Sequence, residues 1–117
     1  RRLITLANTF LNKKVDLTTT GVTTLYTVPS AATAIIKSIL VSEDSGNADT
    51  ITVTITAGSD VFSLFKTKAV GANTTVELLT APLVIEESEI LKVTAATANR
   101  LHVVVSALET KKRVVTT

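Results

Sequence analysis

The chain has 117 residues and a net charge of +2, and 45 of its residues are Thr, Val or Ile. Because β-branched side chains crowd a helix and pack well on a pleated sheet, this composition predicts a single all-β domain. The absence of cysteine excludes disulfides, Cys-based zinc sites and thiol catalysis. No apolar run approaches the roughly 20 residues that a membrane-spanning helix needs, so no membrane partner is expected.

Nine segments have the apolar alternation or the apolar composition of β-strands. In chain order they are residues 10–17, 22–28, 35–42, 49–57, 61–67, 74–79, 83–85, 89–95 and 100–108. The clearest is Asp49–Ala57, where Ile and Val alternate with Thr, which is typical of a strand with one buried face. Segment 35–42 is apolar on both faces. There, Ile35, Ile39 and Val41 are expected to lie opposite Ile36 and Leu40.

Turn-forming Gly, Asn and Asp residues separate these segments at the spacing that sandwiches and barrels show. No segment has a helical period. We therefore expect an antiparallel β-sandwich of eight or nine short strands, of jelly-roll or Greek-key type. The sandwich is predicted at residues 10–109, between an N-terminal basic arm at 1–9 and a C-terminal basic tail at 110–117.

The charges are concentrated at the two ends of the chain. Residues 1–14 carry +4 and residues 109–117 carry +2, whereas residues 15–108 carry −4. The ends lack interleaved aromatic residues and a glycine-rich phosphate loop, so we do not expect nucleic acid as a partner. The acidic body instead suggests that the basic ends contact another copy.

Short β-capable segments near both ends could pair with a neighbouring subunit or extend the sheets of the protein itself. The predicted subunit-contact residues are Arg1, Arg2, Leu3, Ile4, Leu6, Lys111, Lys112, Arg113, Val114 and Val115.

The sequence offers little for catalysis. His102 is the only histidine and is predicted on one face of a strand with Val104 and Ser106, at a sheet surface or a subunit contact. A lone histidine cannot supply a multi-histidine metal site, and no Gly-x-Ser-x-Gly motif is present. Acidic residues cluster at 43–49 and 86–89, where Ca²⁺ is chemically possible, but without EF-hand spacing solvated turns are favoured. We therefore predict no enzyme activity, catalytic residue, metal, cofactor or small-molecule substrate.

Several segments carry a resemblance to a known family. They are Leu-Thr-Thr-Thr-Gly at 17–21, Thr-Leu-Tyr-Thr-Val-Pro at 24–29, the apolar strand at 34–42, the segment 77–89 and the strand at 101–108. Together they resemble small virion structural proteins of tailed bacteriophages, those of cyanobacterial and marine phages most closely. The likeness covers roughly residues 10–109.

The resemblance implies a β-sandwich present in many copies on a virion, with capsid or tail subunits as partners and no catalytic residues. The specific expectation is a capsid decoration, or cement, protein that acts through multivalent contacts as a homo-oligomer, with a trimer favoured. The alternative is a tail, baseplate or fibre-attachment component with a receptor- or glycan-binding role, although aromatic residues make up only 3% of the chain. A small hydrolase is the third hypothesis, and the lack of a second histidine or any cysteine argues against it.

Overall fold

The computed structural model describes the backbone of residues 2–116 and the side chains of residues 7–112. It is all-β and antiparallel, which confirms the predicted fold class. The nine strands are β1 (Arg2–Asp16), β2 (Thr23–Thr27), β3 (Ala32–Glu43), β4 (Asp49–Ala57), β5 (Asp60–Val70), β6 (Thr75–Glu77), β7 (Leu83–Ile85), β8 (Ile90–Ala95) and β9 (Leu101–Thr116). Each of the nine predicted segments corresponds to one of these strands.

The strands form two sheets that pack face to face. One sheet has the order β1-β9-β3-β6, with β7 also paired to β3, and the other has the order β2-β8-β4-β5. The two sheets make the predicted antiparallel sandwich, and its jelly-roll or Greek-key type stays a prediction. We call the first sheet the β9 sheet and the second the β4 sheet.

The core lies between the two sheets and is built from alternate residues of each strand. In β4, Ile51, Val53 and Ile55 are buried, and Thr50, Thr52 and Thr54 are half-buried on the other face. Val103 and Val105 of β9, which belong to the other sheet, are also buried. Each such side chain contributes roughly 1.5–3 kcal/mol through its removal from water.

A β-bulge in β3 makes one detail of the sequence prediction wrong. The register with β9 shifts between Ile36 and Ser38, so Lys37 is an extra residue and the inward face changes parity there. Ile36 therefore points inward with Ile39 and Val41, whereas Ile35 lies on the outer face. The carboxylate of Glu77 accepts hydrogen bonds from Ser38 Oγ and, at 2.8 Å, from the Ile39 amide, so it satisfies backbone at the bulge.

Strands β1 and β9 are longer than the predicted segments. They pair without a register shift from Arg2 opposite Thr116 to Asp16 opposite His102. The pair crosses both predicted boundaries, at residues 9/10 and 109/110, because the terminal segments pair with each other. The division into arm, body and tail stays a prediction.

A polar contact connects the two sheets. Tyr26 of β2 is only 4% exposed, and its hydroxyl donates a hydrogen bond of 2.6 Å to Glu109 Oε2 of β9. The Lys13 ammonium lies 5.8 Å from the centre of the Tyr26 ring. Burial of the ring, followed by the hydrogen bond to Glu109 and the charge of Glu109, raises the pKa of Tyr26 well above its usual value. The hydroxyl therefore stays protonated and can remain a donor.

Candidate interaction surface

A row of apolar side chains crosses the outer face of the β9 sheet. The register places Phe10 of β1 opposite Leu108 of β9, Leu108 opposite Ile35 of β3, and Ile35 opposite Val84 of β7. Directly opposed residues in antiparallel strands have Cβ atoms roughly 5 Å apart, so the four side chains form one line across the strands. We call Phe10, Leu108, Ile35 and Val84 the apolar row.

The apolar row is open to solvent at both ends. Phe10 is 77% exposed and Val84 is 56% exposed, and Ile35 and Leu108 between them are half-buried. The β3 bulge helps to build the row, because it turns Ile35 to the outer face. Exposed apolar side chains that adjoin one another are typical of surfaces that contact another molecule.

A second apolar pair lies on the same face. Val104 of β9 is opposite Leu40 of β3, and both are exposed. Between this pair and the apolar row lies a line of small polar residues, Asn12, Ser106 and Ser38. This line carries short side chains without charge, and the exposed charged residues Lys14, Lys37 and Glu77 lie beside it.

His102 lies at one end of this face, between two carboxylates. Its Nε2 atom is 3.2 Å from Asp16 Oδ1, and its Nδ1 atom is 3.6 Å from Asp44 Oδ2. The sequence correctly predicts that His102 faces outward, but it does not reveal the two aspartates, because Asp16 and Asp44 come from separate parts of the chain. All three side chains are well exposed, so these contacts contribute little to stability.

The acidic turn at 43–49 differs from the prediction of a solvated turn, because Glu43 is only 1% exposed. Its carboxylate accepts hydrogen bonds from the amides of Ser45 (2.9 Å), Gly46 (3.1 Å) and Asn73 (3.0 Å), and from Ser45 Oγ. Burial alone would raise the pKa of Glu43, but these hydrogen bonds outweigh it and lower the pKa to about 2. Glu43 therefore stays charged well below pH 4.5 and accepts hydrogen bonds from two loops.

The other acidic turn is exposed, as predicted. Glu87 accepts a hydrogen bond from the Ala31 amide, and Glu89 accepts one from the Glu86 amide, so both carboxylates bind backbone amides of the protein itself. Within residues 7–112, no group of three His, Cys, Asp or Glu residues is arranged to hold a metal ion. No helix in the described part of the chain is long and apolar enough to cross a membrane.

The structure tests few of the predicted subunit-contact residues. Lys111 and Lys112 are exposed, and the Lys112 amide donates a hydrogen bond to the Ala31 carbonyl. Arg1 lies outside the described residues. The side chains of Arg2, Leu3, Ile4, Leu6, Arg113, Val114 and Val115 also lie outside the described part, so contacts through these residues stay a prediction.

The sequence did not reveal the apolar row. Its four members come from four strands and are separated by up to 98 positions of the chain, from Phe10 to Leu108. Only the register between strands and the β3 bulge place them side by side. The one available signal was that apolar residues occupy both faces of the segment 35–42.

Comparison with solved structures finds chains that are similar to this one. A chain from the acid-stable capsid of Helicobacter pylori bacteriophage KHP30 matches with a TM-score of 0.52 and 11% identity, over 100% of both chains. A chain from the disulfide-linked pili that form Bacillus endospore appendages matches with a TM-score of 0.50 and 11% identity, over 95% of this chain and 89% of that one. A chain from the cyanophage Pam1 capsid has 15% identity and a TM-score of 0.40, over 92% and 84% of the two chains. No protein-family model and no curated protein sequence matches this chain.

At these identities the likeness establishes the fold alone. The sandwich is one that a phage capsid and a bacterial pilus both contain. The role of this chain must be argued from its own surface.

Proposed function

We propose that the chain is a structural protein of a tailed-phage virion, and more specifically a capsid decoration, or cement, protein that acts without catalysis. The observation that carries the proposal is the apolar row, a four-strand line of apolar side chains on an exposed sheet face. Burial of this line against a neighbouring virion subunit would remove it from water. A symmetric shell repeats the same modest contact many times.

Two further observations support this role. The fold is shared with a chain of a phage capsid, and the sequence resembles small phage virion proteins over roughly residues 10–109. The face that carries the apolar row also has a line of short polar side chains with Lys14, Lys37 and Glu77 beside it, so a partner can make both apolar and polar contacts there. The proposed partners are other virion proteins, and the trimer favoured from the sequence stays a prediction.

The test is add-back of purified protein to particles assembled without it. Wild-type chain is compared with Val84→Lys, which places a charge in the apolar row, and with Val22→Lys as the matched control. Val22 is 68% exposed and lies outside the row, so both substitutions add one lysine at an exposed valine. We expect wild type and the control to bind at a fixed ratio to the major shell protein, and Val84→Lys to bind about tenfold more weakly.

Two results would contradict the proposal. If wild-type chain does not bind the particles, the virion role is wrong, and if Val84→Lys binds as well as Val22→Lys, the apolar row is not the contact. A density map of the decorated particle separates decoration from the alternative tail, baseplate or fibre role. Decoration requires copies distributed over the shell, whereas the alternative confines them to the tail.

A further inference from the structure

The two sheets have four edges, and three of them carry features that hinder pairing with another strand. Strands β6 and β7 have only three residues each. The edge strand β2 has five residues and a register shift, and β5 has two register shifts and carries Lys66 and Lys68. Short strands, irregularities and lysines are the usual means by which proteins protect sheet edges.

The fourth edge, β1, carries Lys13 and Lys14 but is long and regular. It pairs with β9 over 15 residues without a register shift, and its other side has no partner strand among the described residues. An edge of this kind presents a row of backbone donors and acceptors to solvent, which another strand can pair with.

The hydrogen bonds at the end of β1 show which of its residues face this open edge. The Leu17 amide donates to the Leu101 carbonyl at 3.0 Å, and the Leu17 carbonyl accepts from the Asn99 amide at 2.8 Å, so Leu17 bonds toward β9. Residues two positions apart in a strand direct their backbone N–H and C=O groups to the same edge, and the residues between them direct theirs to the other edge. The backbone groups of Asn8, Phe10 and Asn12 therefore point away from β9.

We propose that two copies of the chain pair antiparallel through β1, with the two-fold axis at Phe10. In this register Phe10 lies opposite Phe10 of the second copy, and Asn8 lies opposite Asn12 of the second copy. All three residues direct their backbone groups to the shared edge, which gives about six main-chain hydrogen bonds over this segment. The pairing joins the two β9 sheets into one.

The side chains of β1 are self-complementary in this register. The apolar row continues through the two Phe10 rings into the row of the second copy. Asn8 accepts a hydrogen bond from Thr110 through its Oδ1 atom, so its amide N–H₂ can donate to the opposing Asn12. Lys13 lies opposite Ala7, whereas an axis at Lys14 would place the Lys14 residues of the two copies opposite each other. The proposed two-fold pairing makes a dimer, in place of the trimer predicted from the sequence.

Cysteine scanning tests the register, because the chain has no cysteine of its own. Opposed residues in a hydrogen-bonded pair have Cα atoms about 5.5 Å apart, which a disulfide can span. Phe10→Cys should therefore cross-link with itself under oxidation. Asn8→Cys is the matched control: its own copies would lie about 14 Å apart along the strands, too far for a disulfide.

A mixture of Asn8→Cys and Asn12→Cys proteins keeps Phe10 and should give disulfide-linked mixed dimers, whereas neither protein should cross-link alone. Sedimentation of the wild-type chain should give the mass of a dimer. A monomer or a trimer would overturn the proposal, as would equal cross-linking of all the cysteine variants. The measurements use purified chain without particles, so a negative result leaves the proposed virion role to its own test.

Discussion

Replacement of Tyr26 by Phe tests the polar contact that joins the two sheets. The substitution removes only the hydroxyl, which donates a 2.6 Å hydrogen bond to Glu109, and keeps the ring in the core. Hydrogen bonds to charged groups contribute about 1.5–3 kcal/mol. Glu109 is half-buried and can regain water in the variant, so we expect the lower end, about 1.5 kcal/mol. For a domain of this size that corresponds to a fall in Tm of about 6 °C.

Urea unfolding at neutral pH measures this change. The same variant also tests the raised pKa of Tyr26. In the folded state the phenol stays protonated at pH values above its ordinary pKa of 10.0, whereas in the unfolded state it ionises there. Unfolding therefore releases a proton, and wild type should lose stability as the pH rises above 10.0. Tyr26→Phe should lose less stability over the same range. If Tyr26→Phe lowers the free energy of unfolding by less than about 0.5 kcal/mol at neutral pH, and its stability falls above pH 10.0 as much as that of wild type, the hydrogen bond to Glu109 does not stabilise the fold.

Three further substitutions probe local features. Glu43→Gln should lower stability at neutral pH and make stability depend less on acid. The wild-type carboxylate, with its pKa lowered from 4.5 to about 2, stabilises the fold above pH 4.5 and loses this effect as the pH falls toward 2. Thermal melts between pH 7 and 2 measure the change, and parallel curves of Tm against pH for the two proteins would contradict it. Thr56 Oγ1 is buried without a hydrogen-bond partner in the described structure, so Thr56→Val should raise the free energy of unfolding by about 1 kcal/mol, and a loss would show that the hydroxyl is satisfied. Gly58 has φ of 63°, so Gly58→Ala should cost about 1 kcal/mol in denaturant titration, whereas Gly21→Ala, at a position without positive φ, should cost less.

The strands could be predicted because their signal is local. Alternation of Ile and Val with Thr determines which face of β4 is buried, and the predicted bounds of Asp49–Ala57 agree with the structure. The alternation fails where the backbone is irregular, as at Lys37, since a bulge changes the parity of the residues on either side. Lys37 gives no local signal for a bulge.

The candidate surface could not be predicted from the sequence, for a different reason. Phe10 and Val84 belong to one line only because two other strands lie between them in the β9 sheet. Glu43 was expected in solvent because it is charged. Its burial depends on the Asn73 amide, which reaches it from a loop 30 positions later in the chain. Contacts of this kind follow from the packing of the two sheets and not from local residue preferences.

The position of β9 has a consequence for how the chain folds. β9 separates β1 from β3 in its sheet, and it is synthesised after both. On the ribosome, β1 must wait for its partner while all the intervening strands emerge, and closure of so long a loop is slow. During this interval the apolar faces of β1 and β3 are unprotected against aggregation. Folding yield should therefore be most sensitive to the rate at which the final strand becomes available.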